Sequence, residues 1–279
     1  MLYSPRMPPC ILPALLTLLA SPLAAQVDLA DLQTHLVHQR LYLRGRWSDD
    51  KLKFDASGHL IGSSNLLPFT LSGVDLDSAK IGPEGLALKG HRIGLVFHGD
   101  TIAGVPELES IHIVIQPTPN GDYHAALDSI FTADLATFVP TLPTYWQQYG
   151  KEHLLHAAAT STKGISPTST QSGSGDVHST NEIPVRHIGP GIRPPRVLKA
   201  PDPSFTLQAR NRAINGDVLV YLVVDTQGKP TNVRILKPLG FGLDELAVDA
   251  VSQYKFEPAE RNGVPVPAEM KVEVNFQSY

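Results

Sequence analysis

Hydrophobic and polar positions follow two different periods in the last third of the chain. From Leu243 to Tyr254 the apolar residues recur three or four apart, which predicts a helix with one buried face. Pro258 prevents that helix from continuing. Met270 to Gln277 then alternates apolar and polar residues, the period of a strand with one buried face.

Three further elements precede this helix. Asp217–Asp225 and Asn232–Lys237 are rich in β-branched residues and predict two strands joined by a short turn. A first helix is predicted over 204–214, with Ser204 as its N-cap. The predicted order is therefore helix, strand, strand, helix, strand.

The ordered motifs of this region resemble the C-terminal domain of TonB, the periplasmic energy transducer of two-membrane bacteria. They are Gly216-Asp-Val-x-Val, Asp225-x-x-Gly228, Asn232-Val-Arg-Ile, Gly242-Leu-Asp-Glu-x-Ala, Tyr254-Lys-Phe-Glu-Pro258-Ala and Asn262-Gly-Val-Pro-Val266. Before the first helix, many family members carry a Tyr-Pro pair, whereas this chain has Pro203-Ser204-Phe205. The resemblance implies an αββαβ domain over 196–279.

The resemblance also implies a binding role for the final strand. In the TonB family the partner is a short extended segment at the periplasmic face of an outer-membrane transporter, called its box. This segment pairs with the domain by strand addition. The expected partner-binding residues are Lys271, Val272, Glu273, Val274, Asn275, Phe276 and Gln277. The alternative interpretation is that the charged residues merely keep an edge strand soluble.

The region before this domain has a different pattern. Residues 26–156 alternate short β-rich runs with Gly, Asp and Pro, and helical patterns flank them, which predicts a β-rich α+β domain with an antiparallel sheet. Asp55 to Gly58 is a predicted hairpin turn. Tyr145, Trp146 and Tyr149 are interpreted as aromatic residues that close its core.

Residues 157–195 are first rich in Ser, Thr and Gly and then in Pro, which predicts a flexible and then extended linker.

Residues 1–25 have a short apolar run and end in Ala24-Ala25, which predicts a signal peptide cleaved after Ala25 and a periplasmic protein. The alternative is a retained inner-membrane anchor. The resemblance implies that such an anchor would contact an ExbB/ExbD-type motor.

Composition narrows the function classes. A formal net charge of −4 argues against nucleic-acid binding. Cys10, the single cysteine, lies in the predicted signal peptide, and the pairs of histidines lack the three or four ligands of a zinc site. With no catalytic motif recognised, neither an enzyme nor a cofactor is expected. A TonB-like transducer, a free periplasmic interaction protein and an enzyme hidden in the first domain remain the three classes.

Overall fold

The structure is a computed structural model that describes residues 29–99, 101–155, 189 and 191–277. The predicted signal peptide, its cleavage after Ala25 and most of the predicted linker lie outside the described residues. No helix among the described residues is both long and apolar enough to cross a membrane.

A six-stranded sheet forms the centre of the first domain, which we define as residues 29–155. Its strands are β1 (Arg40–Leu43), β2 (Lys51–Phe54), β3 (Gly73–Gly82), β4 (Gly85–His98), β5 (Thr101–Ile115) and β6 (Phe131–Thr132), in the order β2-β5-β4-β3-β1-β6. Most neighbours are antiparallel, as predicted, but β2 runs parallel to β5. The prediction of a purely antiparallel sheet is wrong here because β3 and β4 intervene between these two strands, which leaves the long connection that parallel pairing requires.

Helices and turns cover this sheet. The helices are α1 (Leu29–Leu36), α2 (His124–Ile130) and α3 (Thr144–Tyr149), with 3-10 turns at Phe69–Leu71 and Leu135–Thr141 and a π-helical turn at Gly150–Leu154. Leu32 of α1 and Leu127 of α2 lie in one buried cluster with Phe54 of the sheet. Their apolar stripes therefore face the sheet, as the helical period requires.

The C-terminal domain, residues 191–277, contains the predicted order of main elements. They are α4 (Leu207–Asn211), β9 (Gly216–Val224), β10 (Pro230–Lys237), α5 (Leu243–Ser252) and β14 (Ala268–Phe276). Short strands are added to them: β7 (Ile192–Arg193), β8 (Arg196–Lys199), β11 (Lys255–Glu257), β12 (Ala259–Arg261) and β13 (Val264–Val266). Leu243, Ala247 and Val251 of α5 pack in one cluster with the inner face of the sheet.

Two local predictions for this domain are wrong. The first helix begins at Leu207, and Thr206 rather than Ser204 is its N-cap: the Thr206 hydroxyl accepts a hydrogen bond from Ala209 N–H at 3.1 Å. The predicted linker also ends earlier than expected, because β7 pairs with β12. Arg193 fixes that pairing through ion pairs with the carboxylates of Glu257 and Glu260.

The two domains pack directly against each other. Val96 of β4 forms an antiparallel bridge with Gly240, the loop residue before α5. Ile235 of β10 and Val248 of α5 lie in a buried cluster whose other members come from the first domain, among them Trp146. The sequence predicts modules separated by linker chain, whereas the structure joins them through a continuous apolar contact.

Candidate partner-binding site

The final strand, β14, lies at one side of the C-terminal sheet. This sheet has the order β10-β9-β14, and among the described residues β14 pairs with β9 alone. The antiparallel register is unbroken over nine pairs, from Ala268 opposite Val224 to Phe276 opposite Gly216. One edge of β14 is therefore paired along its whole length, and the opposite edge faces away from the sheet.

The hairpin between β9 and β10 determines which way the backbone groups of β9 point. Asp225 N–H donates to the Lys229 carbonyl at 2.9 Å, so these two residues form a hydrogen-bonded pair. In an antiparallel ladder such pairs alternate with non-hydrogen-bonded pairs. Val223, opposite Thr231, consequently directs its backbone groups toward β10. Its neighbour Leu222 directs its own groups toward β14.

The same alternation determines the direction in which the backbone N–H and C=O groups of β14 point. Met270 is opposite Leu222, so it exchanges hydrogen bonds with β9, and every second residue after it does the same. Lys271, Glu273 and Asn275 lie between those residues, and their N–H and C=O groups point away from β9. A guest strand would find six backbone hydrogen-bonding groups on these three residues.

The side chains of the seven predicted residues divide into two groups. Val274 and Phe276 are buried and Val272 is half-buried, all on the face that packs against α5 and α4. Lys271, Glu273, Asn275 and Gln277 are exposed on the other face or at the strand end. The strand thus attaches firmly through one set of side chains and presents the other set to solvent.

The neighbouring strand contributes residues to the exposed face that the sequence analysis did not single out. Tyr221 of β9 lies opposite Lys271, and the Arg234 guanidinium lies 5.4 Å from the centre of its ring. Burial raises the pKa of Tyr221, with Glu269 acting in the same direction and Arg234 opposing the rise. The Asn275 amide donates to the Asp217 carboxylate at 2.6 Å. Because side chains alternate between the two faces of a strand, the sequence of β9 could have predicted that Tyr221 and Asp217 lie on this exposed face.

The opposite edge of the sheet has a different environment. Helix α3 packs along β10 and makes no comparable contact with β9, so it flanks the outer edge of β10. Gln148 of α3 accepts a hydrogen bond from Arg234 at 3.0 Å, and Trp146 of α3 contacts the same buried cluster as Ile235. Of the two edges of this sheet, the first domain covers the one on β10.

The described residues contain no group of three or more His, Cys, Asp or Glu side chains arranged to hold a metal ion.

Comparisons with known proteins concern the C-terminal domain. Residues 201–278 match the family model described as Gram-negative bacterial TonB protein C-terminal. Over 86 residues the chain is 31% identical to Protein TonB of Vibrio cholerae serotype O1, covering 30% of this chain and 35% of that protein. Over 102 residues it is 28% identical to Protein TonB of Xanthomonas campestris pv. campestris, covering 36% of this chain and 40% of that protein.

A solution NMR structure of the Pseudomonas aeruginosa TonB CTD aligns with 33% of this chain and 92% of its own, at 20% sequence identity and a TM-score of 0.25. The chain spans about a third to two fifths of the length of the two sequence relatives. The family-model match and these sequence similarities agree with the motif order from Gly216 to Val266. On these grounds, residues 201–278 of this chain are a TonB C-terminal domain.

Proposed function

We propose that this protein is a non-enzymatic, TonB-like protein of the periplasm that binds an extended peptide by strand addition to β14. The peptide is the box of an outer-membrane transporter, and the binding contributes to energy-coupled transport. The observation that carries the proposal is the outward direction of the backbone groups of Lys271, Glu273 and Asn275 on an edge strand. Strand addition uses such groups for affinity and alternate side chains for selection.

The expected affinity follows from the number of these groups. Six hydrogen bonds, each with a net value of about 1 kcal/mol, give a gross stabilisation of about 6 kcal/mol. Side-chain contacts add to this value, and lost translational freedom and ordering of the guest oppose it. A dissociation constant of the order of micromolar corresponds to about −8 kcal/mol, so side-chain contacts must supply about 2 kcal/mol beyond the association costs. Binding of this strength is reversible, as a transport cycle requires.

Glu273→Pro tests the proposal because the N–H of Glu273 points away from β9. Proline at such an edge position removes an outward donor and leaves the ladder with β9 intact. Glu273→Thr is the matched control, since it also removes the carboxylate but keeps the N–H and suits a strand. Binding is measured by calorimetry with synthetic peptides that copy transporter box segments from the same genome.

We expect wild type and Glu273→Thr to bind at micromolar concentration. Glu273→Pro should bind at least about tenfold more weakly, a loss of about 1.4 kcal/mol, with an unchanged melting temperature. Val272→Pro should instead lower the melting temperature, because the Val272 N–H belongs to the ladder with β9. Wild-type affinity in a folded Glu273→Pro variant would show that the guest does not pair with this edge.

A second candidate is a free periplasmic interaction protein that is not coupled to the proton-motive motor. The observation in its favour is the direct packing of a folded first domain on the C-terminal domain, which offers a second surface for an envelope partner. N-terminal sequencing of the exported protein separates the two candidates. A start at Gln26 excludes an ExbB/ExbD contact through a retained N-terminal anchor, and a start at Met1 supports it.

A further inference from the structure

We propose that the first domain acts as an edge cap for the C-terminal domain: it closes the outer edge of β10 and the adjoining apolar face, and so restricts strand pairing to β14. The cap itself is inferred from contacts between the domains. Its consequence for peptide binding rests on the proposed function.

The first contact of the cap is helix α3 against β10. Trp146 is fully buried and belongs to the same cluster as Ile235, while Val233 packs against that cluster from β10. Gln148 adds a hydrogen bond to the Arg234 guanidinium at 3.0 Å. A helix placed along a strand edge is one way in which proteins prevent edge-to-edge pairing. Helix α3 occupies the position that a further strand would take if it paired with the outer edge of β10.

The second contact pairs β4 with the loop before α5. Phe97 N–H donates to the Leu239 carbonyl, and Phe241 N–H donates to the Leu95 carbonyl, both at 3.0 Å. Gly94 makes this approach possible, because a Cβ at this position would overlap the Phe241 ring. The loop therefore lies against β4 as a short added strand, held by backbone bonds as well as by apolar packing.

The third contact is on the apolar face of the C-terminal domain. Phe241 is fully buried and Val248 nearly so, and their clusters include Leu71 and Phe69 from the first domain. If the domains separated, this apolar surface would become exposed beside the uncovered edge of β10. An unpaired strand edge next to an apolar patch favours association with another chain. The partner that fits this surface is a second copy of the same chain, which carries an identical edge.

Gly94→Val in the full-length protein tests the cap, because the valine side chain forces Phe241 away from β4 while β-branched residues suit a strand. Gly82→Val is the control for the same substitution in the same sheet: Gly82 is the last residue of β3, and its Cβ would point into open space. Val248→Glu is a second variant that places a charge in the interface and changes neither sheet. Light scattering after size exclusion gives the molar mass, and hydrogen exchange reports on β10 and on the core strand β9.

We expect wild type and Gly82→Val to remain monomeric with slow exchange at β10. Gly94→Val and Val248→Glu should show exchange at β10 at least about tenfold faster, slow exchange at β9, and a molar mass that doubles with concentration. A wild type that associates would overturn the cap, as would variants with fast exchange at β10 that stay monomeric. Unchanged exchange at β10 in both variants would overturn it as well, since the first domain would then not control that edge.

This experiment is distinguishable from the test of the proposed function. Self-association of Gly94→Val is measured without peptide and depends on the edge of β10 and the apolar face beside it. Peptide binding depends on β14 and is tested by Glu273→Pro. A monomeric wild type that binds no box peptide would refute the proposed function and leave the cap standing.

Discussion

The hydrogen bond between Trp146 and Glu245 is the contact through which the coupling of the two domains can be measured. Trp146 Nε1 donates to Glu245 Oε1 at 2.9 Å across the interface. The indole is packed edge-on against Phe69, with ring centres 5.1 Å apart. Glu245 Oε2 is buried and has no hydrogen-bond partner among the described residues. Burial raises the pKa of Glu245, and the bond from Trp146 opposes that rise.

Trp146→Phe removes the donor and keeps an aromatic ring. A hydrogen bond to a charged group has a net value of about 1.5–3 kcal/mol, and one between neutral groups about 0.5–1.5 kcal/mol. The smaller ring adds about 1 kcal/mol of lost packing. Glu245→Gln keeps a carbonyl acceptor and removes the buried charge, so its cost should be near zero. Because Glu245→Gln keeps the acceptor, the double-mutant cycle measures the part of the coupling that depends on the charge of Glu245.

We expect Trp146→Phe to lower the free energy of unfolding by about 2–4 kcal/mol. The coupling energy with Glu245→Gln should be about 1 kcal/mol. Urea unfolding followed by far-UV circular dichroism measures all four proteins. The full-length protein should unfold in one transition, because each domain completes the core of the other. A coupling below about 0.3 kcal/mol would show that the bond does not depend on a charged Glu245. Two separate transitions in wild type would refute the idea that the two domains unfold as one unit.

Two further predictions concern ionisation and capping. Because its folded pKa is raised, Glu245 contributes stability below its unfolded pKa of about 4.3 and loses that stability as the pH rises through its folded value. Glu245→Gln should therefore become more stable relative to wild type as the pH rises above about 4.3, measured by urea titration. The opposite trend would contradict a raised pKa of Glu245. Thr206→Ala should cost about 0.5–2 kcal/mol, because the hydroxyl caps α4 and donates to the Phe241 carbonyl at 2.8 Å. Ser204→Ala should leave the melting temperature unchanged, and equal losses would mean that Ser204 shares the cap.

A second acid beside Glu245 shows why titration at this interface could not be predicted from sequence. Asp244 is fully buried, and its two carboxylate oxygens accept hydrogen bonds from Leu239 N–H and Gly240 N–H at 2.7 and 2.9 Å. Burial nevertheless raises its pKa to about 8, and the charge of Glu245 acts in the same direction. The helical period assigns both acids to the solvent side of α5. The loop before α5 binds Asp244, and Trp146 of the first domain binds Glu245; the helical period describes neither contact.

The main elements of the C-terminal domain follow from local patterns. The alternation from Met270 to Gln277 predicted β14, and the stripe that includes Leu243 and Val251 predicted the buried face of α5. The capping of the first helix was less predictable, because Ser204 and Thr206 are both suitable residues. Which of them caps depends on where the chain turns, and that turn is fixed by the bond from Thr206 to the Phe241 carbonyl.

The sequence by itself determined the period of each element, and with it the face of each strand that is buried. It also carried the ordered motifs of a TonB C-terminal domain over residues 201–278. Which edge of the sheet the first domain covers was decided by tertiary structure alone. Side-chain alternation distinguishes the two faces of a strand, but every residue carries the same backbone groups, so no pattern of residues distinguishes its two edges. The position of α3 beside β10, set by the packing of Trp146, covers one edge of the sheet, and β14 is the strand at the other edge.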